Sequence, residues 1–82
     1  MKITFLSQEK HNMSLKYRSD EEVMVGDIIA HYLSPNYLSI MEAAYKVVFI
    51  YGHDNKIQIL RLRNNVEFMG WCNNYNLISR ET

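Results

Sequence analysis

Tyr45-Lys46-Val47-Val48-Phe49-Ile50-Tyr51 is the stretch whose reading decides the fold. Its β-branched and aromatic side chains favour a pleated strand. The same region also offers a helical face, formed by Ile40, Ala44, Val47, Val48 and Tyr51, with Gly52 as a C-terminal stop. We read it as a buried strand from Lys46.

Working towards the C-terminus, Gly52-His53-Asp54-Asn55 is a turn by composition. Lys56 to Arg63 reads as a strand with a change of phase. Ile57 and Ile59 are odd, while Leu60 and Leu62 are even, which implies a β-bulge or burial on both faces. Asn64-Asn65 tolerates positive φ and predicts a two-residue hairpin. In the following strand Val66, Phe68, Gly70 and Cys72 share one face and Glu67, Met69 and Trp71 the other. Asn73-Asn74 turns again, and Tyr75 to Ile78 reads either as a last short strand or as a docked tail.

Working back towards the N-terminus, Pro35 to Ala44 is a short helix, with Ser34-Pro35 and Ser39/Glu42 both available as starts. A longer helix is expected before it. Ser19 and Glu22 form an S-x-x-E capping box, and Asp20, Glu21 and Glu22 complement the positive end of the helix dipole. Met24, Val25, Ile28, Ile29, Tyr32 and Leu33 then recur at helical spacing. Met13 to Arg18 alternates apolar and polar residues as an antiparallel strand does. Lys2 to Ser7 is a further strand, joined to it by the polar turn 8–12. The expected order is ββ–αα–βββ. It describes an α+β domain, a small antiparallel sheet with one or two helices on one face.

The 82 residues make a single domain, 1–82, too short for a second core. Nine basic and nine acidic side chains cancel, which argues against a histone-like grip on nucleic acid and against an acidic DNA mimic. One cysteine excludes an internal disulfide framework and a Cys-rich zinc module. No apolar run approaches the roughly 18 residues of a membrane span, and the first ten residues lack the apolar region of a secretory signal. A cytoplasmic location is expected. Ile, Lys, Asn, Tyr and Phe make up 30 residues and Gly, Ala, Arg and Pro only 11, a skew towards A/T-rich codons that points to an A/T-rich bacterium, phage or plasmid.

Catalytic patterns are missing. His11, His31 and His53 are 20 and 22 positions apart with no H-x-x-x-H pair, so no metal site is expected. Cys72 sits on the face of Val66 and Phe68 and reads as a small buried hydrophobe. Adjacent side chains such as His53 and Asp54 diverge in a turn. No glycine-rich phosphate loop occurs, so no cofactor is expected.

What remains is a surplus of large side chains. Six tyrosines, five methionines and one tryptophan exceed what so small a core conceals. Arg, Trp, Tyr and Met also anchor protein interfaces. We therefore single out Tyr37, Tyr51, Lys56, Arg61, Arg63, Met69, Trp71 and Tyr75 as partner-binding residues. The function expected is that of a small non-enzymatic interaction module, a regulator or inhibitor that occupies a partner protein's surface. Short phage or mobile-element proteins of the anti-defence or lysis-timing kind have this character. The alternative is a sequence-tolerant binder of RNA or single-stranded DNA, stacking bases on the 56–72 hairpin. A homodimer is a further expectation.

Overall fold

The structure, a computed structural model, describes residues 15–35 and 39–80. The deciding stretch is a strand, β2, spanning Ala44–Ile50. It continues into two more strands, β3 (Lys56–Arg61) and β4 (Val66–Trp71), each antiparallel to the one before. The β3–β4 connection is a four-residue loop, since Arg61 and Val66 are the last pair. The two-residue hairpin at Asn64-Asn65 is therefore corrected, although Asn65 does take positive φ, at 57°. Before β2 come β1 (Ile28–His31) and a short helix α1 (Ile40–Ala43). A 3-10 turn (Cys72–Asn74) leads into β5 (Tyr75–Ser79).

The strands form one antiparallel sheet of five in the order β4-β3-β2-β1-β5. β4 and β5 are thus opposite edges, yet only the three residues of the 3-10 turn separate them. The path from Trp71 to Tyr75 spans at most about 14 Å. The edges of a flat sheet of this order would lie about 19 Å apart. The sheet must curl, and side chains meet inside the curl: Tyr45 makes edge-to-face contacts with Phe68 of β4 and Tyr75 of β5, at 5.8 and 5.7 Å between ring centres.

The expected α+β class is overturned: this is a five-stranded antiparallel sheet with little helix. The 19–33 helix does not form. Asp20 and Gly26 take positive φ, 84° and 97°, which a continuous right-handed helix forbids. The Ser19 hydroxyl donates to the Glu21 carboxylate and accepts the Leu77 N–H at 3.0 Å, so it caps no helix and instead ties the segment to β5. A single bridge pairs Lys16 with Glu22, and the Asp27 N–H closes a turn on the Met24 carbonyl. Ile28 and Ile29, read as part of a helical stripe, are β-branched residues of β1. Ile29 is fully buried between Tyr45 of β2 and Leu77 of β5, whereas Met24, Val25 and Leu33 of that stripe are exposed.

The second predicted helix shrinks to the single turn α1. Its start is the Ser39/Glu42 capping box, with both reciprocal hydrogen bonds formed, while Pro35 is not helical. The strand expected at Met13 to Arg18 does not form over its described residues, where Lys16 alone makes a bridge, although Leu15 and Tyr17 are inside and Lys16 and Arg18 outside. The expected strand at Lys2 to Ser7 and its turn lie outside the described residues. Among the described residues no helix is long and apolar enough to cross a membrane.

The inner face of the curl holds the core: Ile29, Val47, Ile57 and Ile59 are at most 1% exposed, and Leu15, Tyr17, Val23, Cys72 and Tyr75 pack with them. The faces assigned to 66–72 hold for Gly70 and, in the following turn, Cys72, which are buried, and for Glu67, Met69 and Trp71, which are exposed; Val66, at the start of β4, is exposed rather than covered. Gly70 is crowded by Tyr75: a Cβ there would lie 3.1 Å from the tyrosine hydroxyl oxygen and 3.2 Å from a ring carbon. Gly70→Ala should cost about 1–3 kcal/mol in chemical denaturation, the usual penalty of overpacking. Pairing it with Tyr75→Phe, which withdraws the crowding oxygen, should recover part of the loss; no recovery would show that the crowding lies elsewhere.

Candidate functional site

The bulge foreseen in β3 occurs instead in β2. Val47 pairs with Ile59, but Phe49 pairs with Gln58, so Val48 is the extra residue. This one-residue slip reverses the remaining side chains of the strand. Val47 points into the core, and Phe49, which simple alternation would place beside it, points out and is 55% exposed. The outer face of β2, β3 and β4 then reads in rows. Phe49, Gln58 and Met69 form one row; Lys46, Leu60 and Glu67 another; Lys56 and Trp71 a third.

On this face Met69 and Trp71 are 47% and 46% exposed. Tyr51 joins them, its ring 5.0 Å from that of Phe49 and its hydroxyl donating to the Gln58 side chain at 2.9 Å. Gln58 in turn donates to Glu67. The result is three exposed apolar side chains, Phe49, Met69 and Trp71, set on one face around the hydrogen-bonded Tyr51–Gln58–Glu67 chain, with Lys46 and Lys56 in the adjoining rows. Side chains on paired strands are mutually positioned, so this patch presents a fixed shape.

Of the eight residues singled out from the sequence, the fold brings Tyr51, Lys56, Met69 and Trp71 together. Arg61 faces the other way, its guanidinium 4.7 Å from the Phe68 ring and 5.9 Å from that of Tyr45. Arg63 is exposed in the β3–β4 loop, away from the patch rows. Tyr75 is only 9% exposed and belongs to the core, where it meets His31 and Tyr45 edge-on. Tyr37 lies outside the described residues. Sequence reasoning missed Phe49 and Lys46. The apolar residues Ile59 and Leu60 lie on opposite faces of a regularly alternating β3, so they carried no signal of the bulge in β2.

Two other places carry polar chemistry. Asp27, 1% exposed, is the most elaborate. Arg80 grips both of its oxygens at 2.8 Å and also donates to the Glu22 carbonyl. The Tyr17 hydroxyl and the Met24 N–H complete the shell at 2.5 and 3.0 Å. Burial pushes the Asp27 carboxyl up, but the donors from Arg80, Tyr17 and Met24 outweigh it and hold the group below the usual carboxylate range. Burial and the Asp27 carboxylate together push the Tyr17 hydroxyl up. The donors converge on the carboxylate and leave it no free nucleophile to activate, so the cluster is a staple between the 15–27 segment and the end of β5.

The second place is a groove of about 280 Å³ lined by residues of β1, α1 and β5, among them Ala30, Ile40, Asn76 and Ile78. Of the ring-bearing residues His31 and Tyr32 in its lining, His31 already accepts the Leu33 N–H at Nδ1. Cys72 is fully buried, and burial pushes its thiol up, away from the reactive thiolate. Among the described residues no group of three or more metal-ligating side chains assembles. No protein-family model matches the chain, and no significant similarity to curated proteins or to solved structures is found.

Proposed function

We propose that the chain is a small non-enzymatic interaction module, a regulator or inhibitor that acts by covering part of a partner protein's surface. One observation carries this reading: Phe49, Met69 and Trp71 stand exposed on the same outer face of β2–β4, Met69 and Trp71 side by side on β4 and Phe49 across Gln58 in the row of Met69. Apolar side chains that miss the core and gather in one patch mark interaction surfaces. The mechanism is steric, with aromatic and thioether anchors inside a polar rim of Lys46, Lys56 and Glu67. A single cysteine, buried and unpaired, suits a reducing compartment, which supports a cytoplasmic site of action. The A/T-rich composition supports a phage or mobile-element origin.

Immobilised wild-type chain, challenged with extract of the source cell, should retain one protein at fixed stoichiometry. Phe49→Ala and Trp71→Ala should each weaken that binding by at least about tenfold, an anchor-sized effect. Met41→Ala, 58% exposed on α1 beyond the end of β2 opposite to Phe49, should leave it intact. Equal retention by all four chains overturns the proposal.

The nucleic-acid reading keeps one supporting feature: Lys56 lies directly across from Trp71, and Lys46 adjoins Phe49. It loses Arg61 to the inner face. Binding of a labelled single strand that collapses between about 50 and 200 mM salt, and disappears in Trp71→Ala, would favour this reading instead.

A further inference from the structure

The two edges of the sheet are treated differently. On β5 the 15–22 segment covers the edge. The Arg18 N–H donates to the Tyr75 carbonyl at 2.8 Å, and the Ser19 hydroxyl takes the Leu77 N–H at 3.0 Å. β4 has no such cover among the described residues. Its free groups can be identified from the pairing. In an antiparallel ladder, residues that exchange hydrogen bonds alternate with residues whose N–H and C=O point away. The Cys72 N–H donates to the Asn55 carbonyl at 2.8 Å, which places Gly70 and Phe68 in the bonded positions opposite Ile57 and Ile59. The N–H and C=O of Glu67, Met69 and Trp71 therefore face outward from the edge.

Natural edge strands are protected by proline, bulges or charge. β4 has no proline, its register with β3 is unbroken, and Glu67 is its only charged residue. A strand entering here would be held by main-chain bonds from these three residues.

We infer that the β4 edge takes a second copy of this chain, antiparallel about a twofold axis through Met69. That register sets Met69 against Met69 and Glu67 against Trp71. All three outward-facing residues would then pair, and Glu67 of one copy would lie one strand beyond Trp71 from Lys56 of the other. The separation, about 10 Å between backbones, is within reach of the two long side chains and gives opposite charges on each side of the axis. The rows Phe49–Gln58–Met69 of the two copies run on into each other and merge their apolar patches. The inference does not rest on the proposed function, because it concerns the backbone edge rather than the face.

Sedimentation equilibrium of the full chain tests it. The wild type should associate to a dimer. Met69→Pro removes an N–H that β3 does not use, so the variant should keep its circular dichroism and sediment as a monomer. Glu67→Lys should raise the dimer dissociation constant about tenfold, and adding Lys56→Glu in the same chain should restore it. That rescue has no origin within one subunit, where Glu67 meets Gln58. Phe49→Ala should leave the dimer intact while weakening partner capture, which separates failure of this inference from failure of the proposed function. A monomeric wild type overturns the self-pairing, whether the edge then takes residues 1–14 of the same chain or an extended segment of another protein. A Met69→Pro variant that still dimerises overturns it as well.

Discussion

Asp27→Ala should destabilise the chain by about 3 kcal/mol in urea or guanidinium denaturation, the scale expected when one member of a buried ion pair is removed. Three groups lose their acceptor together. The Tyr17 hydroxyl and the Met24 N–H are left to seek water, and Arg80 loses both of its charge-assisted bonds. The loss also frees the end of β5 from the turn that precedes β1. Asp27→Asn keeps the shape and one acceptor oxygen, so it should fall between the alanine variant and the wild type.

The same cluster sets the pH response. The Asp27 carboxyl is held low in the folded state, so its contribution is complete above the unfolded value near 4. It is lost as the pH falls from there through the lower folded-state value. The Tyr17 hydroxyl is held high, so its contribution is complete below about pH 10 and is lost as the pH rises beyond it. Tyr75, also pushed up by burial, acts in the same alkaline direction. Denaturation midpoints measured from pH 2 to 11 on the usual scale should decline at both ends. The acid decline should flatten in Asp27→Ala and the alkaline one in Tyr17→Phe. An acid limb that is unchanged without Asp27 would mean that other carboxylates set it.

Ile59→Ala should cost about 3 kcal/mol and Trp71→Ala no more than about 1 kcal/mol, although tryptophan is the larger side chain. The difference is one of faces. Ile59 is 1% exposed and lies between Val47 and Phe68 on the inside of the curl, so truncation leaves a cavity that paired strands on both sides cannot collapse. Trp71 is 46% exposed on the outside, and removing it opens no cavity. Equal costs for the two would show that the outer face is packed, and would remove the basis for reading it as a docking surface.

The strand content from Ala44 onward was legible because it is local. Period-two alternation in β4 separated Gly70 and Cys72 from Met69 and Trp71, and β-branched residues marked β2 against its competing helical face. The Ser39/Glu42 capping box, a contact over three positions, was legible for the same reason. Half of the candidate site followed from these features: Tyr51, Lys56, Met69 and Trp71.

The sequence by itself therefore determined which residues could form pleated strands and that large apolar side chains would be left over. Only the tertiary structure decided that Ser19-x-x-Glu22 and the stripe after it would not become a helix. The capping pattern and the spacing of Ile28 and Ile29 suit a helix locally, but Ile29 gains complete burial only as a strand residue between β2 and β5. It also decided where the bulge fell. The extra residue at Val48 is what turned Phe49 outward, while β3 keeps strict alternation with Ile57 and Ile59 inward and Leu60 outward. Register, closure and edge protection depend on residues distant in the chain meeting in space, and no local pattern records them.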